Sequence, residues 1–238
     1  MYGVYDYDFK FENEEITLGV EKKGGFLKYT RWLGNCKNDI VEKILASDAG
    51  KIIVNPVEPL NLPKEITNHL EIQFEPVVVE PNSFKKIYLK FPIEIGVFAA
   101  TKKSIDVLDI FSLNNQKYSL YGPPDSGVIC RWHKSDVFAD IPKTDLLRDG
   151  VIELNIQNTS HEWVEVCRVV FESYGMKIYY GDSVSMVATI RIINRMVAET
   201  NFANKPIKDG MKKSLELYTA RRIPVVERIG FLMEWGLK

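Results

Sequence analysis

Residues 151–171 read VIELNIQNTSHEWVEVCRVVF and carry the clearest fold signal in the chain. Residues 152–156 place apolar side chains at every second position, which is the period of a half-buried β-strand. A polar run at residues 158–161 interrupts the pattern, and an almost continuously apolar segment follows it. We therefore predict a hairpin whose returning strand, residues 163–171, lies in the centre of a sheet and is buried on both faces.

The same alternation appears at the start of the chain. Residues 5–11 place aromatic side chains at odd positions and charged side chains at even positions. Residues 16–20 and 26–32 repeat the two-residue period on either side of Gly24 and Gly25, which tolerate the positive φ of a tight turn. We predict a β-hairpin here.

Further short strands are predicted wherever this period recurs between turn-forming residues. They fall at residues 70–74, 77–79, 87–97, 105–113, 117–121, 128–132, 177–180, 184–193 and 229–235. Residues 38–46 are an exception, because apolar side chains at helical spacing, a capping residue at the start and Gly50 at the end predict a short helix. Residues 211–222 fit a helix and a strand equally well.

The composition is that of a globular protein. The chain has 238 residues, of which 45% are apolar and 26% charged, so it has enough apolar side chains for a buried core. Many short strands, turn signals every ~8–12 residues and no long amphipathic helices predict an all-β fold. We expect an antiparallel β-sandwich of immunoglobulin-like style.

A proline-rich segment at residues 56–63 suggests a division of the chain. Proline cannot donate to a sheet ladder, so this segment is predicted to be an edge segment or an extended crossing. The same argument places Pro92 at a sheet edge or a bulge. We expect an N-terminal β-rich subdomain at residues 1–63 and a main sandwich at residues 64–238, or a single continuous domain.

The charge balance and the number of cysteines indicate which kinds of partner and which cellular compartment to expect. With 31 Lys and Arg against 32 Asp and Glu, the formal net charge is −1. A dedicated nucleic-acid binder carries a basic excess, so we expect no nucleic-acid partner. Three cysteines are too few, and odd in number, for a secreted disulfide framework, which favours the cytoplasm. We expect no signal peptide and, without a run of about 20 apolar residues, no transmembrane segment.

The most suggestive cluster for chemistry is Cys130-Arg131-Trp132-His133, with Asp136 close behind. A Cys-x-x-His pair suits tetrahedral zinc, but a structural site needs four ligands and no second pair occurs at ligand spacing. On a regular strand, Cys130 and His133 also point to opposite faces. We therefore predict that Cys130 is a small core residue and His133 a surface residue. We assign no catalytic, cofactor-binding or metal-binding residue.

Aromatic side chains near predicted turns are candidates for a binding surface. Exposed aromatic rings are how β-proteins stack sugars or bases. The candidate ligand or partner contacts are Tyr118, Tyr121, Trp132 and Trp163, with His133 beside them.

Several stretches resemble those of a known family. They are residues 1–3 (MYG), 70–81, 88–93 (YLKFPI), 155–171 and 231–237 (FLMEWGL). On these stretches the chain resembles an uncharacterised archaeal family of unknown function, of the DUF432 type, over nearly all of its length. The resemblance implies an archaeal cytoplasm. It brings no established activity, so no catalytic residue is carried over.

The sequence is compatible with three alternative functions. The leading hypothesis is a non-enzymatic β-sandwich that binds a protein partner or assembles with itself as a homodimer, through an edge strand or the turn at residues 118–127. The second is a small-molecule or carbohydrate-binding module that uses Trp132, Trp163 and the tyrosines. The third is a hydrolase or metal enzyme built on the 130–136 cluster and His161, which requires those side chains to converge.

Overall fold

The computed structural model describes residues 1–34, 40–46, 50–62, 66–102, 104–217 and 230–238. Nearly all regular structure in these ranges is β, which confirms the all-β class. In chain order the strands are β1 (Gly3–Tyr5), β2 (Phe9–Glu12), β3 (Ile16–Lys23), β4 (Phe26–Leu33), β5 (Ile40–Leu45), β6 (Lys51–Val57), β7 (His69–Val79), β8 (Ser83–Pro92), β9 (Glu94–Ala100), β10 (Ile105–Phe111), β11 (Tyr118–Tyr121), β12 (Val128–Lys134), β13 (Asp149–Asn158), β14 (Val164–Glu172), β15 (Tyr179–Tyr180), β16 (Val184–Asn194), β17 (Val197–Ala203), β18 (Lys212–Lys213) and β19 (Phe231–Met233).

Over the described ranges these strands pair into four sheets. The orders are β1-β6-β9-β10, β2-β3-β4-β5, β11-β12-β7-β14 and a seven-stranded sheet, β18-β15-β16-β13-β8, which β17 and β19 extend from β16. The chain divides into two compact units, unit 1 (Met1–Asn55 and Gly96–Asp109) and unit 2 (Pro56–Ile95 and Ile110–Lys238). The boundary predicted after residue 63 lies outside the described residues and stays a prediction.

Unit 1 contains the predicted N-terminal hairpin. β3 and β4 pair antiparallel along their whole length. Gly24 and Gly25 join them with φ angles of 58° and 84°, and the positive sign is what a tight two-residue turn requires. The hairpin prediction is therefore confirmed. The buried side chains of the two strands are Ile16, Leu18, Val20, Leu27, Tyr29, Arg31 and Leu33.

The short helix predicted at residues 38–46 is wrong, because residues 40–45 form strand β5. β5 pairs antiparallel with β4 and so satisfies the backbone groups on the second edge of that strand. The β-branched side chains at positions 40, 41 and 44 also favour a strand. The expected N-cap of the helix, at residues 38–39, lies outside the described residues.

Unit 2 holds two sheets whose apolar faces pack together as a sandwich. The ring of Phe171 on β14 lies 4.7 Å from the ring of Phe202 on β17, measured between centroids. Thr200 Oγ1, also on β17, donates to the Val170 carbonyl of β14 at 2.6 Å. Because side chains alternate along a strand, each sheet turns one set inward. The inward, fully buried positions of β13 are Ile152, Leu154 and Ile156.

The hairpin predicted at residues 151–171 is wrong, although both of its strands exist. β13 pairs with β8 and β16 in the seven-stranded sheet, whereas β14 pairs with β7 in the four-stranded sheet. The connection therefore crosses from one sheet to the other. β14 is also the last strand in its sheet rather than a central one. A half-buried strand has the same sequence pattern whether its neighbour pairs beside it or packs opposite it across the core.

Asn158 holds this crossing in place. Its Nδ2 group donates to the carbonyls of Val79, Glu80 and Glu162 at 3.2, 3.0 and 2.9 Å. Its Oδ1 atom accepts hydrogen bonds from the backbone and the hydroxyl of Ser160. Val79 ends β7, and Glu80 follows it before the chain crosses to β8, so one buried amide bonds to both sheet crossings.

The prolines and the strand directions differ in part from expectation. Pro92 ends β8, the terminal strand of its sheet, as predicted. Pro56 lies near the end of β6, a strand whose neighbours in the sheet are β1 and β9. It lies beyond Val54, the last residue paired with β1, so the ladder to β1 loses no hydrogen bond there. Two pairs, β12 with β7 and β13 with β16, are parallel.

The C-terminal region contains short strands. The strand predicted at residues 229–235 is confirmed as the shorter β19, which pairs antiparallel with β17. Of the ambiguous residues 211–222, Lys212–Lys213 form β18, and residues 218–222 lie outside the described residues. Within the described ranges, no helix has the length and apolar character needed to cross a membrane.

Candidate functional site

Four of the five candidate contact residues come together on two neighbouring strands. Tyr118 and Tyr121 lie on β11, Trp132 and His133 lie on β12, and the strands pair antiparallel. Trp163, which is 58% exposed, comes immediately before β14. Directly paired residues share a face, so Tyr118 and His133 lie on one face of the sheet. Tyr121 and Trp132 lie on the other, and the four do not form one surface.

Tyr118 is partly exposed and its hydroxyl is held in place. The hydroxyl donates to the Leu62 carbonyl at 2.7 Å. The guanidinium carbon of Arg131 lies 5.7 Å from the centroid of the ring, within cation–π range. Burial raises the pKa of Tyr118, against the lowering effect of the Arg131 charge. The ring is therefore a neutral, partly accessible surface at physiological pH.

Tyr121 is buried and anchors the C-terminal strand. Its hydroxyl donates to the Trp235 carbonyl at 2.9 Å and accepts the Trp235 backbone N–H at 2.9 Å. Its ring centroid is 5.9 Å from that of Phe231. These contacts join residues 114 positions apart in the chain.

Trp132 and His133 are half-buried. The indole Nε1 of Trp132 donates to Gln73 Oε1 at 3.2 Å, and Lys117 Nζ lies 5.7 Å from the centroid of the ring. Burial, followed by the positive charges of Arg131 and two lysines, lowers the pKa of His133 to about 4. His133 is therefore a neutral imidazole near pH 7, which makes it a poor general acid there.

The residues of the thiol and metal hypotheses do not converge. Cys130 is fully buried, as predicted, and burial with the negative charge of Glu71 raises the pKa of its thiol to about 12. Its side chain lies on the opposite face of β12 from His133. His161 lies in the crossing after β13, where its Nδ1 is 3.3 Å from Asn82 Nδ2. Across the described part of the chain, no three His, Cys, Asp or Glu side chains group as metal ligands.

Arg131 and Glu94 are two buried charged side chains whose burial no sequence pattern predicts. Both side chains are almost fully buried, and each influences the pKa of the other. Glu94 Oε2 accepts the Asn61 backbone N–H at 3.1 Å, whereas Glu94 Oε1 and Arg131 Nε and Nη1 have no hydrogen-bond partner among the described residues. Burial raises the pKa of Glu94 to about 7, although Asn61 and Arg131 favour its ionised form.

Glu58 is another buried carboxyl group in unit 2. Burial raises its pKa to about 7, and the negative charge of Glu216 adds to this effect against backbone hydrogen bonds that lower it. Two interior carboxyls therefore change protonation state near neutral pH. In the sequence Glu94 alternates with Ile93 and Ile95, so it looks like a solvent-facing residue of a half-buried strand.

Two surface depressions and an exposed apolar pair lie among the described residues of unit 2. One depression, of about 290 Å³, lies between the turn after β11 and the C-terminal strand, against Tyr121 and Trp235. The other, of about 360 Å³, lies on the outward face of the seven-stranded sheet. Leu120 on β11 and Ile129 on β12 stand directly opposite each other and are 45% and 50% exposed. We call these two residues the β11 patch.

Comparisons with known proteins identify a family and no individual relative. No curated protein and no solved structure matches the chain significantly. A family model described as "Protein of unknown function (DUF432)" matches residues 1–234. This match covers nearly the entire chain and confirms the resemblance found in the sequence, so the chain belongs to the DUF432 family of proteins of unknown function.

Proposed function

We propose that this chain is a non-enzymatic β-sandwich protein that assembles with a second copy of itself through strand β11. The open edge of β11 carries this proposal, since no described strand pairs with its outer side. Proteins commonly protect such edges with charges, prolines or bulges. The sequence of β11, Tyr-Ser-Leu-Tyr, has none of these.

The backbone of β11 has hydrogen-bonding groups directed outward. Trp132 N–H donates to the Lys117 carbonyl at 2.8 Å, which makes residues 117 and 132 a hydrogen-bonded pair of the antiparallel ladder. Such pairs alternate along the ladder, so Ser119 bonds to β12 while the N–H and C=O groups of Tyr118 and Leu120 point away from it. These groups are available to a further strand.

The side chains of the β11 patch favour strand β11 of a second copy as the strand that pairs there. An antiparallel pairing with Leu120 opposite itself lets the two residues exchange both backbone hydrogen bonds. The four apolar side chains then stand side by side, with the two Leu120 residues flanked by the two Ile129 residues. A net charge of −1 produces little repulsion between copies. Two-fold symmetry is also the commonest arrangement of homo-oligomers.

Leu120→Lys is expected to convert the dimer to a monomer. The substitution removes apolar contact area and places two ammonium groups opposite each other at the symmetry axis, where like charges repel. Light scattering coupled to size exclusion, at tens of micromolar, should show the mass falling from about twice 27.3 kDa to 27.3 kDa. Leu120→Pro should have the same effect, because it removes an outward N–H that bonds to no described residue.

Val78→Lys is the matched control for the added charge. Val78 is an exposed strand residue of β7 beyond the segment that pairs with β12, so its substitution should leave the dimer intact. A monomeric wild-type protein at these concentrations contradicts self-assembly. Dissociation by both lysine variants contradicts the assignment of β11 as the contact.

The cysteines support a cytoplasmic location as part of this proposal. Cys130 and Cys167 are free thiols, and Cys36 lies outside the described residues. Free thiols are typical of reducing compartments. The hydrolase alternative has no comparable support, since the Cys130 thiol stays protonated near neutral pH and a thiolate is the nucleophilic form.

A further inference from the structure

The outward face of the seven-stranded sheet carries two rows of mostly polar side chains, one across three strands and one across four. Strand register places Asn155, Thr189 and Asn201 side by side in the first row. The second row runs from β8 to β17 in the order Phe84, Gln157, Arg191 and Glu199. Both rows line the depression of about 360 Å³, a volume within the usual range of ligand sites.

The polar groups of this depression are not used by the fold. No hydrogen bond or ion pair involves the side chains of Gln157, Thr189, Arg191, Glu199 or Asn201 within the described ranges. Arg191 and Glu199 are opposite each other in the ladder, yet they form no ion pair within those ranges. These side chains lie on strands that are paired on both sides, so the spacing between them is fixed. These described side chains do not form hydrogen bonds or ion pairs with one another.

Asn155 supplies a buried polar group at the floor of the depression. It is nine-tenths buried, and its Nδ2 donates weakly, at 3.4 Å, to the Ala188 carbonyl and to Glu153 Oε1. At one end of the second row, the Phe84 ring is 61% exposed and offers a flat apolar surface. A few directional polar groups beside one aromatic ring form the usual composition of a specific small-ligand site.

We propose that this depression binds a neutral, polyhydroxylated ligand, an oligosaccharide. Its lining contains both donors and acceptors, which is what hydroxyl groups need because each can donate and accept. The charges of Arg191 and Glu199 cancel, so the surface does not select for an anion or a cation. The Phe84 ring covers the apolar face of a sugar. The distance from β8 to β17 is three strand intervals, roughly 14 Å, so the ligand is longer than a monosaccharide.

Binding should be measured by calorimetry with the full chain and a panel of neutral hexasaccharides of glucose (α- and β-linked), mannose and xylose. At least one should bind with a dissociation constant between about 1 µM and 1 mM. Phe84→Ala and Gln157→Ala should each weaken it about tenfold or more. Both residues are exposed, so truncation should leave the unfolding temperature unchanged, and Gln157→Ala carries the test alone if Phe84→Ala misfolds.

Phe26→Ala is the matched control, because Phe26 is another exposed phenylalanine and lies in unit 1. It should leave the affinity unchanged. Absence of binding by every hexasaccharide overturns the proposal, as does binding that neither Phe84→Ala nor Gln157→Ala weakens. Inorganic phosphate is the competing probe. Phosphate binding that is tighter than any sugar and lost in Arg191→Met assigns the depression to anions and also overturns the proposal.

Discussion

Glu58→Gln is expected to stabilise the protein by about 3 kcal/mol at about pH 8 and to have little effect at about pH 4. The carboxyl is almost fully buried, and its pKa of about 7 in the folded chain exceeds its ordinary value of 4.5. The folded state therefore disfavours the charged form. A glutamine side chain cannot ionise, and its carbonyl oxygen can still accept a hydrogen bond from the backbone.

The sign follows from proton binding in the two states. Below pH 4.5 the carboxyl is protonated in both states and contributes no pH dependence. As the pH rises from 4.5 towards 7, the unfolded chain loses the proton first and the free energy of unfolding falls. Above about pH 7 the full penalty remains. Urea unfolding of wild type and variant at both pH values measures the difference.

Glu75→Gln provides the control, because Glu75 is an exposed residue of β7 and its charge is solvated in both states. Its free energy of unfolding should differ from that of wild type by less than about 0.5 kcal/mol, because the substitution is at the surface. A Glu58→Gln variant with the same stability difference at both pH values contradicts the buried, protonated carboxyl.

Asp109→Ala is expected to destabilise unit 1 by about 3 to 5 kcal/mol. Asp109 Oδ2 accepts the Arg31 Nε–H at 2.6 Å and the Tyr29 hydroxyl at 2.8 Å, and both side chains of the ion pair are almost fully buried. Removing the carboxylate leaves a buried guanidinium without its counter-charge. Breaking a buried pair from one side costs far more than losing a surface ion pair.

Asp109→Asn and the double variant Arg31→Met with Asp109→Leu test this explanation by chemical denaturation. The asparagine keeps an acceptor for Tyr29 and should lose less stability than the alanine. The double variant removes both charges and should recover much of the loss. If it is no more stable than Asp109→Ala, lost packing rather than the unpaired charge explains the effect.

The N-terminal hairpin shows what local patterns predict well. A period of two reports that one face of a strand is buried, and Gly24 with Gly25 supplies the positive φ angles of a tight turn. Both signals come from residues close in sequence, so β3 and β4 are predicted correctly. For residues 40–45, short apolar spacing that suits a helix was overridden by pairing with β4.

The candidate site was predictable only in part. The sequence pattern predicts that Tyr118 and Tyr121 lie beside a turn. It does not show that the Tyr121 hydroxyl is hydrogen-bonded to the backbone of Trp235, which is 114 residues away. The alternation at residues 93–95 is that of a solvent-facing Glu94, whereas this side chain is fully buried, accepts the Asn61 backbone N–H and is influenced by the Arg131 charge from β12. Neither environment leaves a signal at short sequence range, because each is formed by residues from distant parts of the chain.

The one-dimensional order of side chains was enough to establish that unit 2 is made of β-strands with one apolar face each. It did not establish which strands pair. β13 and β14 were expected to lie side by side, and they instead belong to opposite layers joined through Asn158. The apolar face of each strand is buried equally well whether the two strands pair side by side in one sheet or lie in opposite layers. Long-range backbone pairing and buried polar contacts select between them, and these exist only once the chain has folded.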